Sequence, residues 1–202
     1  MTVPLRQPAP IDDVELVGGH PVLDLVNTVC WRAVPERRRD RLESARDLAV
    51  LARRTGIGDV PITAGVGAGA ALAAAVELRE SIHPWLEARA RGVSVDDDVR
   101  GNVAVLLRGG LDRARPAADD RLRWTIDVAT IADVPVAFAL AGFALLQGDE
   151  LDAIRECERT GCGWLFLDRS RNHSRRWCSS SDCGNVVRAR RHSARRRAAN
   201  AG

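Results

Sequence analysis

Four cysteines are the residues of this chain whose type and spacing most directly suggest chemistry. Cys157 and Cys162 form one pair and Cys178 and Cys183 a second, with four residues inside each pair and fifteen between them. Two close pairs on either side of a medium loop suit a tetrahedral four-thiolate zinc ion, whose Zn–S bonds are about 2.3 Å. Gaps of four lie at the wide end of zinc-pair spacing. Four unrelated thiols or an iron–sulfur cluster therefore stay as alternatives on spacing alone. Four protein thiolates leave no open coordination position, so the expected ion is a single structural zinc, not a catalytic one. Cys30, the fifth cysteine, is expected on an apolar helix beside Trp31, in the core.

The residues between the pairs must position these thiols. Trp164 to Leu167 reads as a strand and Arg175 to Trp177 as its partner, with a Ser-, Asn- and Arg-rich turn between. Trp164, Phe166 and Trp177 would make a very small core. A unit of about 45 residues buries too little apolar surface to fold alone. A bound zinc, contributing about 10–16 kcal/mol, would hold it together.

Charge is uneven along the chain. All 30 basic residues are arginine. Residues 153–202 carry twelve arginines and four acids, a net +8, and the remainder nets −5. The stretch after Cys183 has no proline and no interior glycine, so it is expected to be helical, with Val187, Ala194 and Ala198 toward the zinc core. Arg188, Arg191 and Arg195 would share another side. With Arg175 and Arg176 of the hairpin they are the candidate DNA contacts, since guanidinium groups pair with phosphates and guanine edges.

The preceding 150 residues supply the scaffold. Across the whole chain aromatics are only 4% and tyrosine is absent, so alanine, leucine and valine must fill the core, and alanine and leucine favour helices. A Gly18-Gly19-His20-Pro21 turn leads into an expected apolar helix running to Trp31. On it Asp24 and Asn27 share one side, either lining a ligand pocket or bridging backbone ends near the turn. Helices are expected at 44–54, ended by Gly56, at 70–90 with Pro84 kinking or splitting it, and at 134–147, capped by Asp133 and buried on all sides. Residues 99–111 read as a helix or part of a strand pair, 56–69 as a loop, and Leu122, Trp124 and Ile126 alternate as in a short strand. Asp149 would cap a last helix leading into Cys157. No apolar run of about 18 residues exists and the N-terminus lacks signal-peptide character, so a cytoplasmic protein is expected. No phosphate loop, His-Glu metal motif or nucleophile with an evident base is present, so no enzyme is expected.

The residues Cys162-Gly163-Trp164-Leu165-Phe166-Leu167-Asp168, Ser170-Arg171-Asn172, Ser174-Arg175-Arg176-Trp177-Cys178-Ser179 and Cys183-Gly184-Asn185 together resemble the CGNR zinc finger. Gly18 to Pro21 with Leu23 to Thr28 resembles the opening of the ABATE domain, a helical domain that precedes this finger. The resemblance implies a transcription regulator with zinc on the four cysteines and DNA as partner. It departs from the motif at Val186, where the family has arginine, and at Pro84, inside a helix the family runs unbroken. The expected fold is mainly α: an N-terminal arm (1–14), a multi-helical domain (15–150) and a treble-clef-like zinc module (153–198) of β-hairpin and basic helix. The helical body would sense a small-molecule effector or form a homodimer. The alternative function is a zinc-stapled module that binds protein or RNA.

Overall fold

The computed structural model describes residues 10–61, 67–118 and 123–199. Among the described residues six helices dominate, with three two-stranded antiparallel sheets. In chain order they are α1 (Pro21–Val26), β1 (Val29–Cys30), β2 (Arg39–Asp40), α2 (Ala45–Thr55), α3 (Ala68–Ala90), α4 (Asp97–Leu111), β3 (Arg115–Pro116), β4 (Trp124–Thr125), α5 (Val134–Gln147), β5 (Ile154–Glu156), β6 (Leu165–Leu167) and α6 (Asn185–Ala199). No helix among the described residues is long and apolar enough to cross a membrane.

Local chemistry explains most of these boundaries. Ser44 and Asp47 form a reciprocal capping box at the start of α2, and Gly56, at φ 76°, ends that helix in the left-handed region. Pro84 sits inside α3 without splitting it. The proline is exposed, so water can serve the carbonyl whose amide partner it removes. The cap expected from Asp133 works one step earlier: its carboxylate accepts from the backbone and hydroxyl of Thr130, in the short turn that feeds α5. Residues 97–111 resolve as helix, begun by Asp96. Of the alternating segment only Trp124 and Thr125 pair as strand; Leu122 lies outside the described residues, as do 62–66 of the expected loop.

α3, α4 and α5 pack side by side beneath α1 and α2. The α3 stripe Ala71, Ala75, Leu78, Ile82 and Leu86 is buried against Phe138 and Leu145 of α5. Gly142 permits the close approach, since a Cβ there would lie 3.0 Å from Ile82 Cδ1. Cys30 is buried as expected, but on β1 and not on a helix. Beside it Arg79, 1% exposed, donates to both oxygens of Asp40, to Thr28 and to Glu80, and Glu80 also receives both terminal nitrogens of Arg32. Burial would raise the Glu80 carboxyl, but the bonds and charge of Arg32 and the charge of Arg79 outweigh it and hold it at about 2.

Two sequence expectations near the cysteines are corrected. β6 pairs with β5, in the register Ile154–Leu167 and Glu156–Leu165, and not with residues 175–177. The stretch expected to be a helix into Cys157 is a short 3-10 turn (Asp149–Ala153) followed by β5. With a side-chain period of two, β6 faces two ways. Leu165 and Leu167 enter the core of the helical body, while Phe166 enters the cysteine cluster. This strand is the wall shared by the two cores.

Candidate metal centre and basic helix

Each cysteine pair is set by a tight turn. In the first, the Cys157 amide donates to Trp164 O and the Cys162 amide to Arg159 O, both at 2.9 Å. Gly161 (φ 81°) and Gly163 (φ 70°) flank Cys162 in left-handed conformations. A Cβ on Gly161 would also strike Val34 at 2.7 Å, because the β1–β2 hairpin lies against this turn. In the second pair the Ser179 hydroxyl accepts from the Asp182 amide and its carbonyl from Gly184. The Glu158 amide donates to Arg176 O at 3.0 Å and ties the two turns together.

The four Sγ atoms lie within 4.8 Å of one another, all four cysteines are buried, and none is in a disulfide. Cys162–Cys178, Cys178–Cys183 and Cys183–Cys162 are separated by 3.8, 3.5 and 3.7 Å. A regular tetrahedron with bonds of about 2.3 Å has edges of about 3.8 Å, so the spacing suits a zinc ion. The electrostatics agree. The Cys162 and Cys178 thiols pull Cys157 well below the thiol range, and Cys157 in turn drives Cys162 and Cys178 upward. A cation among them lets all four ionise. The cluster fits one structural zinc held by Cys157, Cys162, Cys178 and Cys183, which would cross-link the two turns.

Arg159 is a neighbour that sequence reasoning missed. It donates to Cys183 Sγ at 3.5 Å, pairs with Asp182 at 3.2 Å and stacks 4.7 Å from the centre of the Trp31 ring. Arg37 covers Trp31 at 3.6 Å. The place of Arg159 inside a cysteine pair is the one sequence signal that points to this role. Trp31 itself lies at φ 57°, outside the usual range for a bulky residue.

The remaining candidate residues fall into two groups. Asn27 donates to Leu165 O at 2.8 Å and accepts from Leu165 N at 2.9 Å, so its side chain extends the edge of β6. Asp24 accepts from Gly18 N at 2.9 Å, and burial pushes its carboxyl up to about 6. The Gly18 carbonyl in turn accepts from Leu167 N. Arg175 is turned inward: it donates to the carbonyls of Val17, Leu167, Trp177 and Cys178 and stacks 4.2 Å above the Phe166 ring. Asp168, fully buried, orders the same loop by accepting from Ser170 and from the Arg175 amide. Arg176 pairs with Glu158. Arg188 donates to Ser180 O and Asn185 Oδ1 beside Trp177. Arg191 and Arg195 are exposed. No residue of α6 is buried, so Ala194 and Ala198 do not face the zinc core, and Val187 is only half-buried.

Two family models match the chain. The one described as "Putative stress-induced transcription regulator", ABATE, covers residues 19–149, and the CGNR zinc finger covers 153–196. The chain belongs to the ABATE family. No match is found among curated proteins. In this ABATE protein the β1–β2 hairpin and α1 come from the ABATE region, and with the Val17–Gly18 segment just before it they are what the first cysteine turn and β6 rest on. The description of the ABATE family is of a regulator and not of an enzyme.

Proposed function

We propose that the chain regulates transcription by binding DNA through α6, with zinc fixing the turn from which that helix starts. One observation carries this reading. α6 runs for 15 residues, buries none of them, and carries six arginines and no acid. None of the six makes an ion pair among the described residues. Such a helix repels itself in isolation and contributes nothing to the core, so its charge calls for a polyanion. Its length of about 22 Å suits the major groove.

Arg188, Arg191 and Arg195, at i, i+3 and i+7, form one contact face. Arg176 lies nearer the metal and would have to leave Glu158 to reach a phosphate. Arg175 supports the frame through its four carbonyl bonds. Val186 occupies the family's arginine position at the start of the helix, where the Arg188 guanidinium folds back over Trp177.

The test is fluorescence anisotropy of the zinc-loaded protein on mixed duplex DNA across a salt series. Binding should weaken steeply with salt and disappear on chelation. Replacing Arg188, Arg191 and Arg195 by alanine together should reduce the salt slope by roughly 2–3, at about 0.9 for each phosphate left without its arginine. Absence of duplex binding at low salt would sink the DNA reading in favour of an acidic protein or RNA partner.

A further inference from the structure

A polar cavity of about 400 Å³ opens between α3, the loop after β1 and the first cysteine turn. That volume falls within the range of small-molecule sites, about 300–1,000 Å³. One stripe of α3, Glu80, His83 and Glu87, forms its floor, and Arg91 just past the helix end continues it. Arg32 and Arg38 enter from the loop. Glu156 and Gly163, the immediate neighbours of Cys157 and Cys162, enter from the zinc module.

The charges of this cavity are sorted to its two ends. At one end a single carboxylate, Glu80, is shared between two guanidinium groups, Arg32 at 2.7 Å and Arg79 at 2.7 Å. Arg38, close by and exposed, has no ion pair among the described residues. At the other end a single guanidinium, Arg91, is shared between two carboxylates, Glu156 at 2.8 Å and Glu87 at 2.8 Å. Arg79 is balanced by Asp40 as well, so the surplus positive charge near Glu80 is that of Arg38, while negative charge is in surplus near Arg91. Glu80 and Glu87 are about 10 Å apart along the helix axis. Between them the His83 side chain makes no hydrogen bond among the described residues. Burial and then the charge of Arg32 depress its ring to about 4, so it is neutral near pH 7 and can donate or accept.

We propose that this cavity binds a small zwitterion with separated charges, its carboxylate toward Arg32 and Arg38 and its ammonium toward Glu87 and Glu156. A simple anion would meet three carboxylates in the walls, and a simple cation three guanidinium groups; a molecule carrying both charges matches both ends. The occupant would press on the two residues that flank Cys157 and Cys162. A binding event there is thus positioned to shift the metal-bearing turn from which the basic helix is hung.

Calorimetric titration of the full zinc-loaded chain, without DNA, tests this independently of the DNA reading. The probes are 6-aminohexanoate and its two single-charge analogues, hexanoate and hexylamine. Saturable binding of 6-aminohexanoate is expected, at least about ten-fold tighter than either analogue. Arg38→Ala and Glu87→Gln, on exposed and half-buried side chains, should each weaken it about ten-fold or more while the thermal unfolding midpoint stays put. Equal binding of hexanoate, undiminished binding by both variants, or no binding heat from the folded protein would each overturn the proposal.

Discussion

The side-chain amide of Asn27 pairs with both backbone groups of Leu165, 138 residues downstream. The amide stands in for a strand neighbour: its oxygen takes the Leu165 amide and its nitrogen serves the Leu165 carbonyl, both in a buried setting. This contact fastens the ABATE region to the strand that separates the two cores. Asn27→Ala leaves two buried backbone groups without partners, at about 1–3 kcal/mol each, so a loss of about 2–6 kcal/mol is expected. Urea unfolding followed by tryptophan fluorescence measures it, and an unchanged midpoint would show that β6 is held without this contact.

Zinc removal should reach well beyond the cysteine cluster. Ile154, Leu165 and Leu167 belong to the core of the helical body, so loosening the two cysteine turns loosens that core as well. Chelation is expected to lower the melting temperature of the helical signal at 222 nm by at least about 10 °C, since each kcal/mol shifts a chain of this size by about 2–4 °C. A helical melt unmoved by chelation would mean that the body and the metal site unfold independently.

Asp24 gives a pH signature. Its folded-state pKa, about 6, lies above the ordinary aspartate value of 3.8, so between those values the folded protein holds more protons than the unfolded one. Its contribution to stability is then fully present below about pH 4 and is lost as pH rises to about 6, a penalty of about 3 kcal/mol for ionising in a buried site. Asp24→Asn keeps an acceptor for the Gly18 amide and removes the titration. The stability difference between variant and parent should shift in favour of the variant from pH 4 to pH 6 and then level off. Denaturant midpoints for both proteins across that range would reveal a flat difference if Asp24 does not titrate there.

Arg175 and Arg191 should separate cleanly. Arg175→Ala removes a guanidinium that serves four carbonyls at the base of the metal site, so stability should fall by about 2–4 kcal/mol. Arg191→Ala, on the exposed face of α6, should leave stability within about 0.5 kcal/mol and lower the salt slope of DNA binding by about 0.9. The reverse pattern would mean that the loop carrying Arg175, and not the helix, meets the DNA.

Much of this architecture can be read from local sequence because local forces produce it. The pairs Cys157–Cys162 and Cys178–Cys183 point to a metal site by spacing, since a tetrahedron of thiolates needs two turns of fixed reach, and the clustering of their Sγ atoms bears it out. The Ser44–Asp47 cap and Gly56 mark the ends of α2 through bonds and backbone angles within a few residues. The all-apolar circumference of α5 announces its burial. Other features depend on what lies opposite in space. Residues 175–177 and 154–156 were both available as partners for β6, and the choice fell to the segment whose Ile154 could join the same core as Leu165 and Leu167. Arg175 and Arg191 are the same residue type in the same basic stretch, yet one is surrounded by carbonyls that need donors and the other by solvent. The polar cavity takes its walls from positions 32, 80 and 156, which no spacing rule connects. Chain-local bonding sets the helices and the cysteine turns, while the strand partner, the inward arginine and the charge-sorted cavity arise only where distant segments bring burial and unpaired polar groups together.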